Sequence, residues 1–241
     1  MMQRCLANIQ EKRQEQRIII EERQGKNQID QEDEAEAQEQ LYKIGKAAGY
    51  VGECCGVLAS TYKKGALQVL DTNVKPFYAQ ALNDYKFLEE REIIDTTYFF
   101  IQFVEHCGVT DVMLLYQLCG QFAEIGAWAE EDMPDIRQNA ACGIAVIAKI
   151  LAPDSFKSLV PNCLKALERI LSVEATEDED ALAAVENAWT ALGVLALYQT
   201  KDDTQLNKFL AALPLKGEAE SQEANDLFIA HYDQIKTKAE A

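Results

Sequence analysis

The sequence predicts an all-α protein built from stacked helical hairpins. Four stretches read as one helix written four times: Gly56-Val57-Leu58-Ala59, Phe100-Ile101-Gln102-Phe103, Gly143-Ile144-Ala145-Val146 and Gly193-Val194-Leu195-Ala196. Each lies in the second half of an apolar helical run. Their starts are 44, 43 and 50 residues apart, the period of a stacked two-helix repeat. Composition points the same way. Only 12 Gly and 5 Pro punctuate 241 residues, too few for a turn-rich all-β fold, and Ala, Leu, Glu, Gln and Lys favour helix. A two-helix unit cannot bury its apolar face alone. It stacks on its neighbours, and the stack presents an extended surface to other macromolecules.

The elements follow in order. Residues 3–24 are rich in Gln, Glu and Arg and read as an exposed helix. Residues 30–39 form an acidic low-complexity run, expected to be a mobile, solvated loop or a helix end. Residues 1–40 are therefore set apart from a continuous solenoid over 41–241. Leu41–Tyr62 has apolar residues at helical spacing and stops near Lys63-Lys64-Gly65. Ala66–Leu82 is its partner, with Pro76 predicted to break or kink it near Val74. Leu88–Cys107 ends at Gly108, and Val112–Trp128 follows. Pro134 beside Asp135 suits the start of a helix that runs to Leu151 and stops before Pro153. Asp154 or Ser155 is expected to cap Phe156–Leu171. A second acidic loop, residues 174–180, accounts for the longer fifty-residue spacing. Ala181–Tyr198, Leu206–Leu213 and Glu223–Ile235 complete about five hairpins.

Charge narrows the functional classes. Forty acidic residues against 23 basic give a formal charge of −17, which repels nucleic acid and anionic membranes and attracts basic proteins. Of seven Cys, six (Cys54, Cys55, Cys107, Cys119, Cys142 and Cys163) sit in apolar runs, and no CxxC pair occurs. With only His106 and His231 besides, no metal site is expected, and buried thiols fit a reducing compartment. His106 reads as a helix-terminal residue facing the dipole. The N-terminus lacks the apolar core of a signal peptide, and the apolar run Tyr98–Val104 is too short to span a bilayer. The sequence holds no GxGxxG, GxxxxGK[ST], GxSxG or HExxH, so no enzyme, cofactor or catalytic residue is expected.

The most specific stretch is Pro134-Asp135-Ile136-Arg137-Gln138-Asn139-Ala140-Ala141-Cys142-Gly143-Ile144-Ala145-Val146-Ile147-Ala148. Small residues at 140, 141 and 143 allow close helix approach, and Ile136, Ile144 and Ile147 supply an apolar stripe. Asp135 and Arg137 stand where a repeat array can link them side to side. The pattern resembles the HEAT repeats of the importin-β (karyopherin-β) family. Val185-Glu186-Asn187-Ala188 through Leu192-Gly193 is similar to that family's following repeat. Leu210-Ala211-Ala212-Leu213-Pro214-Leu215-Lys216-Gly217 is similar to its Leu-Pro-Leu turn. Phe103-Val104-Glu105-His106-Cys107 and the acidic run before Leu41 fit as well. Together they look most like the C-terminal part of an importin-β3 type receptor.

The resemblance implies a right-handed α-α superhelix of the HEAT/armadillo kind. It implies a segment of a nuclear transport receptor that carries basic cargo, of ribosomal-protein or histone type, between cytoplasm and nucleus through the pore. Nucleoporin repeats and Ran are implied partners of a longer form. No stretch here matches the family's N-terminal repeats, which hold its main Ran contact, so weak or absent Ran binding is expected. The alternative is a HEAT scaffold in a stable complex with no transport cycle. The candidate partner-binding residues are Asp30, Glu32, Asp33, Glu34 and Glu36 in the first acidic run. Glu177, Asp178, Glu179 and Asp180 are the candidates in the second. Each run is either a cargo contact or a solvated loop. Asn187 and Trp189, by resemblance on the concave side, either clamp an extended peptide or belong to the core.

Overall fold

The structure is a computed structural model that describes residues 6–12, 14, 15, 18, 31–83, 85–173, 178–232 and 235, without the side chains of 31–38, 41, 87 and 218–221. Among the described residues every regular element is helical and there is no strand. The chain divides into two compact units, Met1–Gly108 and Val109–Ala241. The division expected at residue 40 falls instead inside a helix.

The first unit contains α1 (residues 6–12), α2 (Gln31–Tyr62), α3 (Leu67–Asn73), α4 (Lys75–Asn83) and α5 (Glu90–Cys107). The acidic run expected as a loop or helix end forms the first turns of α2. Ala, Glu and Gln are strong helix formers, and carboxylates are favoured at the positive end of the helix dipole. The break near Val74 is where Pro76 requires it, since Pro76 has no N–H for a helical bond; Val74 leaves helical geometry at φ −121°, ψ −47°. Gly108 ends α5 in the left-handed region at φ +66°, which a side chain rarely adopts.

The main packing in this unit is α2 on α5, with α4 against α5. Tyr78 of α4 stacks on Phe99 at 4.6 Å, Phe99 on Phe103 at 5.7 Å, and the buried Tyr78 hydroxyl donates to the Ala48 carbonyl at 2.7 Å. Helix α2 meets α5 along a ridge of Gly45, Gly49, Gly52 and Gly56, spaced 4, 3 and 4 residues apart on one face. A Cβ on any of these four would fall 2.2–3.2 Å from Glu92, Asp95, Tyr78 or Tyr98, so the two backbones lie closer than side chains would allow.

The second unit contains α6 (Val112–Trp128), α7 (Pro134–Ile150), the single turn α8 (Pro153–Phe156), α9 (Val160–Leu171), α10 (Glu179–Val194), α11 (Asp203–Ala212) and α12 (Glu218–Ala230). The expected helix Phe156–Leu171 is broken: Pro161 cannot donate a helical hydrogen bond, so α8 ends in a turn and α9 starts anew. Neither Asp154 nor Ser155 caps it. Side-chain caps form at Asp111, Asp178 and Asp202 instead.

Helix α10 packs along α7, and α6 packs on both α7 and α9. Helix α10 continues as a π-helical turn, Leu195–Thr200. Together, Glu179–Thr200 is long and apolar enough to cross a membrane, at mean hydropathy 1.3, but 72% of that window is buried in the protein. Gln199, at its end, donates Nε2 to the carbonyls of Ala148 (2.5 Å) and Leu151 (2.8 Å), satisfying the open end of α7. Four of the six Cys expected in apolar surroundings are buried; Cys142 is half-buried and Cys54 is exposed, one position round the helix from buried Cys55.

Candidate protein-binding surfaces

In the first unit, the line between α2 and α5 opens into a groove of about 360 Å³. Its α2 wall carries Tyr42, Lys46, Tyr50 and Glu53, whose spacing of 4, 4 and 3 puts them on one helix face. Tyr42 and Tyr50 are 60% and 62% exposed, unusual for side chains of that size. Across from them stand Arg91 and Asp95 of α5. Arg91 bridges the walls: Nη2 donates to Glu53 Oε1 and Nε to Asp95 Oδ1, both at 3.2 Å. The Lys46 ammonium lies 5.4 Å from the centroid of the Tyr42 ring, a cation–π contact.

Asp95 is the singular residue of this groove. It is only 5% exposed, and its Oδ2 has no hydrogen-bond partner among the described residues. It reaches that position because Gly49 has no side chain; a Cβ there would lie 2.2 Å from Oδ2. Burial raises the Asp95 pKa, and the Arg91 charge opposes the rise without cancelling it.

In the second unit, an acidic recess of about 610 Å³ is lined by Glu131, Asp132 and Pro134, by Ser172 and Val173 after α9, and by Asp178 and Ala181 at the start of α10. The Asp178 carboxylate is already engaged: Oδ1 accepts from the backbone N–H of Asp180 at 2.9 Å and of Ala181 at 3.4 Å. Arg137, 1% exposed, turns back onto this loop and donates Nη2 to the Glu131 carbonyl at 2.8 Å. Its Nε and Nη1 have no hydrogen-bond partner among the described residues. Burial lowers its pKa and Arg169 adds to that, while Glu131 and Asp132 act the other way. Asp135 is exposed, so the side-to-side linkage expected of Asp135 and Arg137 gives way to a contact within the loop.

The residues singled out by sequence are dispersed. Asp30 and Glu177 lie outside the described residues, as do the side chains of Glu32, Asp33, Glu34 and Glu36, whose backbone is in α2. Asp178, Glu179 and Asp180 are exposed at the start of α10. The two acidic runs belong to different units. Asn187 is 7% exposed; its Nδ2 donates to the Ala183 carbonyl at 2.9 Å and its Oδ1 accepts from Cys142 Sγ of α7 at 3.0 Å, so it ties α10 to α7. Trp189 is half-buried on α10. His106 lies in the last turn of α5, as its position predicts. Among the described residues no three His, Cys, Asp or Glu side chains gather as a metal-ligating set.

Sequence reasoning missed the α2–α5 groove. Its signal was there: glycines at helical spacing beside tyrosines at helical spacing, with Asp95 between Ile94 and Thr96 just before the apolar run Tyr98–Val104. No protein-family model matches the chain, and no curated protein matches it.

Proposed function

We propose that this chain is a HEAT-type α-solenoid segment that binds basic protein partners, as a cargo-carrying part of an importin-β type nuclear transport receptor. The observation that carries the reading is where the four recurring stretches fall. They lie on α2, α5, α7 and α10, and these helices pack in like pairs: α2 along α5 in the first unit, α7 along α10 in the second. Helices α6 and α9 form the matching pair of the second layer. Like-on-like packing of alternate helices is the arrangement of a repeat stack. About five hairpins wound into a right-handed superhelix fit it.

The partner class follows from charge. At −17 the surface favours cationic polypeptides, and the recess of Glu131, Asp132 and Asp178 concentrates that field beside the Glu179 and Asp180 carboxylates. Ribosomal-protein or histone-type cargo, moving between cytoplasm and nucleus, suits this chemistry. Association should be fast at low salt and weaken steeply as salt rises, because the attraction is screened within about 8 Å at physiological ionic strength.

The test is a titration of the chain with a lysine-rich histone tail at two salt concentrations, alongside a variant with Glu177, Asp178, Glu179 and Asp180 all replaced by Ser. The parent should bind with a steep salt slope and the variant with a weaker one. Equal affinity and slope would leave the acidic run a solvated loop. Ran loaded with GTP should bind weakly or not at all; sub-micromolar binding would place the segment elsewhere in such a receptor.

A further inference from the structure

We propose that the α2–α5 groove of the first unit receives one basic side chain, Lys or Arg, from a partner polypeptide, with Asp95 and Glu53 as its counter-ions and Tyr42 and Tyr50 packing its aliphatic stem. This deepens the reading of the chain as a binder of basic proteins and rests on it for the choice of partner.

The argument starts from Asp95. A carboxylate oxygen that is buried with no donor is destabilising, and native structures rarely leave one so. Asp95 fills the space that Gly49 leaves open on α2, yet its Oδ2 gains no hydrogen bond there. Where a local rule is broken at a groove, binding is the first explanation to test. The missing donor sets the chemistry of the ligand: it must bring N–H groups and a positive charge.

The rest of the groove agrees. Arg91 engages one oxygen of each carboxylate, and its side chain is 56% exposed, so it covers Asp95 from the solvent side. An incoming cation then shares both carboxylates with Arg91, in the way one guanidinium already bridges them. Tyr42 and Tyr50 are eight residues apart, about 12 Å along the helix, with Lys46 between them on the same face, and both rings stand exposed where an alkyl stem can pack on them. The Tyr42 ring already holds the Lys46 ammonium, and the exposed Tyr50 ring offers an incoming cation the same kind of contact.

The experiment uses the full chain, labelled for NMR, and three blocked peptides: Gly-Gly-Arg-Gly-Gly, Gly-Gly-Lys-Gly-Gly and Gly-Gly-Gln-Gly-Gly. The Arg and Lys peptides should shift the signals of Gly49, Tyr50 and Arg91, and the Gln peptide should not. Asp95→Asn should weaken binding about tenfold or more, the range for losing a charged hydrogen-bond partner, and Tyr50→Ala should weaken it severalfold. Glu124→Gln, on exposed α6 surface, should leave binding unchanged. Equal shifts from the Gln peptide, or parent-like binding by Asp95→Asn, would overturn the proposal. If Asp95→Asn did not fold, parent-like binding by a folded Tyr50→Ala would overturn it as well. The two readings fail separately. A histone tail that binds parent and Asp95→Asn alike removes the groove and leaves the cargo reading. A parent that takes the Arg peptide but no histone tail keeps the groove and removes the cargo reading.

Discussion

Gly143 of α7 lies flat against the ring of Phe122 of α6: a Cβ on the glycine would come within 2.6 Å of three ring atoms. Gly193 of α10 stands in the same relation to Phe209 of α11, at 2.8 Å. Both glycines open one of the recurring stretches, and in the second unit that position is where a helix of one layer meets an aromatic side chain of the other.

Gly143→Ala should therefore destabilise the fold. The helix-propensity gain of about 0.5–1 kcal/mol is outweighed by overpacking against a ring that is itself fully buried, which costs about 1–3 kcal/mol. Gly120→Ala, on α6, should do the reverse. Its Cβ would meet only Leu159 at 3.9 Å, an ordinary contact, and the propensity gain remains. Thermal melts of the two variants should move in opposite directions from the parent.

Arg137 separates charge from packing. It is buried with two nitrogens unpartnered, so its charge is poorly compensated while its stem fills core space. Arg137→Met keeps the volume and removes the charge, and its melting temperature should equal or exceed the parent's. Arg137→Ala leaves a cavity and should lose about 2–5 kcal/mol in denaturant unfolding.

Glu186 holds the turn before α12. The side chain is 4% exposed, and its two oxygens accept from the backbone N–H groups of Lys216 at 2.6 Å and Gly217 at 2.8 Å. Glu186→Gln keeps the shape but turns an amide donor toward one of those donors. It should cost about 1–3 kcal/mol, and amide exchange at Lys216 and Gly217 should accelerate before that of the helices.

Asp95 gives the fold a pH dependence of defined sign. Its folded pKa is raised above the unfolded value, so the folded chain holds the proton more tightly, and stability falls as pH rises from the unfolded pKa through the raised one. Asp95→Asn should melt higher than the parent at pH 7, and the gap should close toward about pH 4, where the unfolded carboxyl also binds its proton. Arg91, Glu53 and Glu92 act on Asp95 and are present in both proteins, so the difference isolates this one group.

The helices and most of their ends were legible in the sequence. Val112–Trp128, the stop at Tyr62, the break at Val74 and the glycine end at Gly108 lie where residue pattern puts them, because propensity, proline and glycine act over a few residues. The unexpected break, at Pro161, was readable too, since the proline is in plain view. The sequence by itself thus determined the helical character of the described residues and the acidic balance of the chain. What tertiary structure decided was the fate of the polar side chains. Asn187, by sequence either a peptide clamp or a core residue, is inside, bonded to Cys142. Arg137, expected in a ladder, folds back onto its own loop. Asp95, between two isoleucines and two threonines, becomes the buried floor of a groove. The physical reason is range. Whether a residue is helical depends on its near neighbours, but which water a side chain loses depends on the helix that packs against it, as Gly49 of α2 does against Asp95, forty-six residues along the chain.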